Sequence, residues 1–340
     1  MRDFSCPNCG QRLTFENSRC LACDSSLGFD VGTRSFAVLD GEGVAGDGTG
    51  AAACENVGLA ACNWLAAPGS GHGLCRSCAL TRTRPANTDI DALPAFAEAE
   101  AAKRRLIFEL TELGLPIRGR DVNPESGLCF DLLSSSEQKV ITGHASGVIT
   151  LDLAEGDDVH REQLRVSMAE PYRTLLGHFR HEIGHYYFTV LAAGGDGRTR
   201  FETRFGDPDA DYQAALDRHY RQGPPAGWQQ TYISAYATMH PAEDWAETFA
   251  HYLHIRDTLD TAAAFGFAPT GATLTTPLAG DVGFTRIVDL WLPLAWSLNM
   301  INRSMGRPDL YPFVLPPPAL DKMHLVHELV TAQNVASAAA

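Results

Sequence analysis

His178-Phe-Arg-His181-Glu182-Ile-Gly-His185-Tyr-Tyr-Phe188 is the stretch on which the reading of this chain turns. Around it Met168, Tyr172, Leu175, Leu176, Phe179, Ile183, Tyr187 and Val190 recur at the spacing of an amphipathic helix. No proline interrupts the run after Pro171, and Gly194-Gly195 marks its end. On such a helix His181 and His185 stand one turn apart on the same face. Two imidazoles so placed can grip one cation, and Glu182 can reach the water that completes its coordination, which is the logic of the HExxH zinc helix. Zinc lowers the pKa of such a water toward about 7, and a carboxylate beside it can take the proton and pass it to a leaving amine. The same five residues also suit a solvated helix face, so the reading needs a third ligand.

Downstream, Tyr236-Ala-Thr-Met-His240-Pro-Ala-Glu243-Asp-Trp-Ala246-Glu247-Thr-Phe249-Ala250-His251 offers one. Pro241 fits the first turn of a helix, and Glu243 and Asp244 suit its positive end. That helix presents Glu243 and Glu247 a turn apart on one face. The metzincin pattern fails, because it places a glycine and a histidine where this chain has Phe188 and Leu191. The chain resembles a gluzincin, the thermolysin-like class whose third ligand is a glutamate on a later helix. Glu243-x-x-Ala246-Glu247-x-Phe249-Ala250 is similar to the glutamate helix of ImmA/IrrE-type metallopeptidases. Tyr236, followed by Glu243 and Trp245-Ala246-Glu247, resembles the corresponding stretch of anthrax lethal factor. Both resemblances imply Glu243 as ligand and Glu247 as the acid that orients a ligating histidine. A rival register stays open, since Glu247-Thr-Phe249-Ala250 is also similar to the E-x-aromatic-A of aminopeptidase-type gluzincins; the first register accounts for both carboxylates.

The front of the chain carries cysteine chemistry. Cys6-Pro-Asn-Cys9-Gly and Cys20-Leu-Ala-Cys23 are two CxxC knuckles within residues 1–30, and four thiolates at this spacing make a closed, structural zinc site. Cys54, Cys62, Cys75 and Cys78 form a second set within 31–88, with only the last pair at knuckle spacing. His72 can replace Cys54 or Cys62 there, or those two can be buried apolar residues. Cys129 reads as a core residue. Nine cysteines, an odd number falling mostly in close pairs, argue for reduced thiols on metal and a cytoplasmic location. With these modules in front, the whole chain resembles bacterial zinc-binding metallopeptidases with an N-terminal zinc ribbon. That resemblance implies an α+β, zincin-like domain over residues 89–340, mostly helical with a small sheet. It also implies hydrolysis of peptide bonds, with Glu182 as general base and then acid.

The 340 residues are 45% hydrophobic and 20% charged, with a formal charge of −14, which disfavours electrostatic binding to nucleic acid or anionic membrane. Arg82 and Arg84 are balanced by Asp24, Asp30, Asp40 and Asp47, so a protein partner suits the cysteine modules better than nucleic acid. The start carries no signal-peptide pattern, and the apolar run Ile287 to Ile301 contains Asp289 and is short for a membrane span.

Leu93 to Leu113 reads as a long helix, and Leu128–Leu133, Lys139–Thr142 and Val148–Leu153 as strands. Val148–Asp152 is the candidate edge strand to pair with an extended peptide or protein substrate. The polar segment Gly194–Gly227 reads as a cleft-lining loop or a solvated face. Gln229–Ala237 reads as helical, bringing Tyr232 and Tyr236 toward the site, where Tyr236 can donate to an oxyanion or simply fill the core. His240 and His251 are candidate partners of the ligands. Further helices are expected from Ile287 to Met305 and from Leu320 to Ala332. Three competing functions fit parts of this pattern: an inactive zincin used as a binding module, a metalloamidase acting on a small molecule, and a zinc-ribbon nucleic-acid adaptor. The cysteine and HExxH readings together predict about three zinc ions per chain by elemental analysis, one catalytic and two structural. A single zinc insensitive to Cys6→Ser would remove the two-ribbon reading.

Overall fold

The computed structural model describes residues 2–66, 73–135, 140–156, 174–267 and 280–338. His72, Met168, Tyr172 and the expected helical approach from Asp157 lie outside the described residues. The chain divides into two compact units, one of Met1–Phe108 with Arg118–Asp158, the other of Glu109–Ile117 with Val159–Ala340.

In the first unit, strands β1 (Phe4–Ser5) and β2 (Arg12–Leu13) pair antiparallel beside the first cysteine knuckle. Strands β3 (Leu27–Asp30) and β4 (Ser35–Val38) form a hairpin, and β5 (Ala52–Ala53) pairs with β6 (Leu65–Ala66). Elements this short bury little backbone, so aromatic rings supply the core. Phe29 and Trp64 are wholly buried, and Phe4, Phe15, Phe36 and Phe108 close around Phe29 with ring centroids 5.0–5.7 Å from it. Asn63, beside Cys62, donates from its side chain to the carbonyls of Phe15 (2.6 Å) and Asn17 (3.2 Å), and its own carbonyl accepts from Phe29 N. The two cysteine modules therefore share one core, and the boundary drawn at residue 30 falls inside the β3–β4 hairpin.

Strand β7 (Thr81–Thr83) leads to helix α1 (Leu93–Glu112), which buries Phe96, Leu106, Ile107 and Leu110 as its spacing predicts. Strands β8 (Cys129–Leu133), β9 (Gly143–Ala145) and β10 (Val148–Asp152) complete a sheet of order β7-β8-β10-β9. β10 runs parallel to β8 and antiparallel to β9. The expected edge strand Val148–Asp152 is thus an inner strand. Gly147, at φ +80, turns the chain so that β9 covers its outer side, and the edge falls to β9 itself. Cys129 is buried in β8, as a core residue.

The second unit is helical. α2 (Leu175–Tyr187) starts at Thr174, whose hydroxyl accepts from Gly177 N at 3.0 Å, and passes into a π-helical turn over Phe188–Ala192. α3 (Gly195–Phe205) and α4 (Tyr212–Gln222) then occupy the polar stretch that the sequence offers as a loop. Two short 3-10 turns, Trp228–Gln230 and Tyr236–Thr238, replace the expected helix over Gln229–Ala237. α5 (Pro241–Ala264), α6 (Gly280–Ser304) and α7 (Pro317–Ala338) follow. Among the described residues no helix is long and apolar enough to cross a membrane.

α5 is held from several sides. Its N-terminus carries Pro241 in the first turn, and the His240 side chain accepts from Ala242 N at 3.1 Å. Trp245, fully buried, packs among Phe201, Phe205 and Phe249 and donates to Gly184 O at 2.9 Å. Asp244 receives the buried Lys322 ammonium of α7 at 2.6 Å. Arg180 of α2 donates to Glu109 at 3.0 Å and to Asp257 of α5 at 2.8 Å. The closest approach is at Gly184: a Cβ there would meet Ala246 Cα at 3.0 Å, Ala246 O at 3.2 Å and Phe249 Cβ at 3.3 Å. Gly184→Val would drive α2 and α5 apart, with an expected loss of about 1–3 kcal/mol of stability. Thermal denaturation checks this, and an unchanged melting temperature would show the contact to be slack.

Candidate metal centre

The close crossing of α2 and α5 sets the geometry of the site. His181 and His185 project from α2 with their Nε2 atoms 3.2 Å apart, and Glu243 from the first turn of α5 presents Oε2 at 3.0 Å and 3.5 Å from them. Every ligand atom of this trio lies within 4.8 Å of the others. A zinc ion with bonds of about 2.0–2.1 Å spaces tetrahedral ligands about 3.3–3.4 Å apart. The trio has that spacing, and its three lone-pair-bearing atoms converge on one point, an arrangement a cation stabilises. Its residues therefore fit zinc.

The second carboxylate lies behind the first histidine. Glu247, one turn beyond Glu243, accepts from His181 Nδ1 at 2.7 Å, so that Nε2 is the nitrogen turned toward Glu243 and His185. Burial opposes a charge on His181, yet Glu243 and then Glu247 carry its pKa well above the usual imidazole range. Burial likewise works against ionising Glu243 and Glu247, but hydrogen bonds outweigh it. His181 and His185 hold Glu243 well below the ordinary carboxylate range, and His181 is the main partner that lowers Glu247 to about 2. The centre thus carries one buried and one half-buried carboxylate, whose field calls for positive charge.

Glu182, between the histidines in sequence, is buried, and its Oε2 has no hydrogen-bond partner among the described residues. An orphaned buried acceptor is costly unless a donor arrives there. Tyr236 is also at the site, its ring centroid 6.0 Å from that of His181. Burial and then the Glu243 charge raise its pKa, so the hydroxyl keeps its proton and remains a donor.

His240 and His251 serve elsewhere. His240 caps α5 through Nδ1 and donates from Nε2 to Ala210 O at 3.0 Å. His251 pairs through Nδ1 with the Tyr311 hydroxyl at 2.8 Å, and burial lowers its pKa to about 4. Tyr232 stands under the Lys322 ammonium, 4.2 Å from its ring centroid. One functional contact had no sequence signal. Tyr212, thirty-one positions before Glu243 in a polar stretch, donates its hydroxyl to Glu243 Oε1 at 2.9 Å.

Both cysteine sets also assemble. Cys6, Cys9, Cys20 and Cys23 form one cluster and Cys54, Cys62, Cys75 and Cys78 another, with sulfurs 3.7 Å (Cys6–Cys23), 3.6 Å (Cys9–Cys20) and 3.7 Å (Cys62–Cys75) apart. Zinc–sulfur bonds of about 2.3 Å place tetrahedral sulfurs about 3.8 Å apart, so these clusters fit zinc as well. In the first cluster the residue after each CxxC, Gly10 and Asp24, takes positive φ (+75 and +64), which wraps both knuckles the same way. In the second, all four cysteines are buried, and the buried pair Glu100 and Lys103 of α1 lies beside Cys78.

Comparison with known proteins bears on both halves. The family described as "Putative zinc-binding metallo-peptidase" matches residues 92–329, and a zinc-ribbon domain matches residues 3–89. Uncharacterized proteins of Mycobacterium tuberculosis and Mycobacterium bovis are 62% identical over 331 residues, covering 97% of this chain and 95% of theirs. No solved structure matches.

The two glutamates of α5 occupy different places, and substitution separates them. Glu243→Ala leaves two ligands and is expected to lose the third zinc on dialysis. Glu247→Ala removes one hydrogen bond from His181, and its expected cost is about 10- to 100-fold in zinc affinity. Zinc counting on both variants checks the assignment, and the opposite pattern would reinstate the rival register.

Proposed function

The chain belongs to this zinc-binding metallopeptidase family, and on that premise we propose that it hydrolyses peptide bonds with one catalytic zinc held by His181, His185 and Glu243. The observation that carries the proposal is the convergence of those three side chains, with the adjacent residue of the helix, Glu182, keeping a buried oxygen that has no hydrogen-bond partner among the described residues. Three protein ligands are the number typical of catalytic zinc sites, whereas structural ones use four. Zinc bound there supplies Lewis acidity, which acidifies water and polarises a carbonyl.

The chain's own residues do the rest. Glu182 accepts the proton of the attacking water at its free oxygen and later returns it to the departing amine. Glu247 holds His181 in the tautomer that directs Nε2 inward. Tyr236, whose ring centroid lies 6.0 Å from that of His181, donates its hydroxyl to the oxyanion that develops as water adds to the carbonyl, a role its nearness to His181 supports. The two cysteine clusters hold two structural zincs, and the acidic ribbon unit docks a protein partner instead of nucleic acid. The substrate is a peptide or protein of the cytoplasm.

Glu182→Gln keeps the shape of the site and all three ligands but removes the proton acceptor. Cleavage of a mixed peptide library, read by mass spectrometry, is expected to fall by about 100- to 10,000-fold while the zinc content stays that of the wild type. Equal cleavage by the variant would exclude Glu182 as the base.

A further inference from the structure

We infer that Tyr212 is a positioning residue of the metal centre: its hydroxyl holds Glu243 so that a single carboxylate oxygen faces the two histidines. The inference rests on the zinc reading above and adds to it a residue from outside both metal helices.

Glu243 has two oxygens with different partners. Oε2 faces His181 and His185, and Oε1 accepts from Tyr212 at 2.9 Å. A carboxylate at the head of a helix can turn about its last torsion and offer either one oxygen or both to a cation. A phenol bound to Oε1 fixes that torsion and occupies the second oxygen, so a cation held there would receive one oxygen from Glu243 and would keep room for water or a substrate carbonyl. The phenol O–H donates and the carboxylate oxygen accepts.

Tyr212 itself is held in place by α5. His240, the residue that caps α5, donates to Ala210 O at 3.0 Å, two residues before the tyrosine. The Tyr212 ring meets the His240 ring edge-on with centroids 5.2 Å apart. Asp211 caps α4 by accepting from Ala214 N at 3.0 Å, and Arg218 donates to Met239 O at 3.1 Å, just before the cap of α5. Beyond these bonds α4 packs sparsely: its His219 ring meets Tyr236 edge-on with centroids 5.8 Å apart, Ala215 is its one buried residue, and glycines at positive φ, Gly206 and Gly223, bound the segment. A polar helix that packs so sparsely is placed by its hydrogen bonds to the head of α5, and Tyr212 is the one that reaches the ligand.

The test uses the full chain with its cysteine-bound zinc intact. Tyr212→Phe deletes one oxygen and keeps the ring against His240. Tyr220→Phe, on an exposed position of the same helix, is the control. Zinc affinity of the third site is measured by competition with a chromophoric chelator, and the melting temperature of the chelator-treated protein reports folding. The expected result is a loss of about 10- to 100-fold in affinity for Tyr212→Phe, with no change for Tyr220→Phe and an unaltered melting temperature in both. Wild-type affinity in Tyr212→Phe would overturn the inference and leave the peptidase reading standing. A wild-type chain that holds no zinc beyond the cysteine-bound ions would overturn both.

Discussion

The second unit depends on how closely two helices can approach. At Gly184 the backbone of α2 comes so near Ala246 that one added methyl would stand 3.0 Å from its Cα. Small residues on both sides let the helices cross at contact distance, and Trp245 locks the crossing by donating to the Gly184 carbonyl. A glycine in a helix interior costs roughly 1 kcal/mol relative to alanine, which this packing must offset. The functional gain is geometric. His181, one turn before His185, can meet a carboxylate on α5 only if the two backbones are this close.

Charge accumulates around that crossing. Glu243 and Glu247 meet His181 from opposite sides, Asp244 takes Lys322, and Arg180 is shared by Glu109 and Asp257. Buried ion pairs of this kind add little to net stability, but breaking one leaves an uncompensated charge. Their effect is to fix the rotation of α5 relative to α2, α7 and the end of α1. Burial raises Asp244 to about 7 and Glu109 to about 8 against the pull of their cationic partners, a measure of how dry these contacts are. The first turn of α5 therefore has one acid for the metal centre and the next for an anchoring lysine.

The ribbon unit solves a different problem. Ahead of its four-stranded sheet, the strands β1 to β6 are two to four residues long, and the core there is two thiolate clusters and a set of aromatic rings around Phe29. Asn63 ties the clusters together by satisfying the carbonyls of Phe15 and Asn17. Segments with so little regular secondary structure of their own are the kind that a thiolate-bound metal can fold.

Short-range spacing was legible in the sequence, because covalent geometry translates it directly. HExxH puts two imidazoles on one helix face, CxxC puts two thiolates on one turn, and Glu243 and Glu247 share a face of α5 by the same rule. The family and the mixed α+β class came from the resemblance that those motifs carry to known zinc metallopeptidases. What pairs across space was not legible. The inner position of Val148–Asp152 depends on which strand β9 covers, and the helices α3 and α4 arise in a segment whose polar composition suits a loop equally well. Tyr212 lies far from Glu243 along the chain, and no periodicity connects them. Their contact is made where His240 fastens Ala210 to the head of α5. Local spacing is fixed by the helix repeat, whereas contacts between distant residues are chosen by packing, and only the tertiary structure decides them.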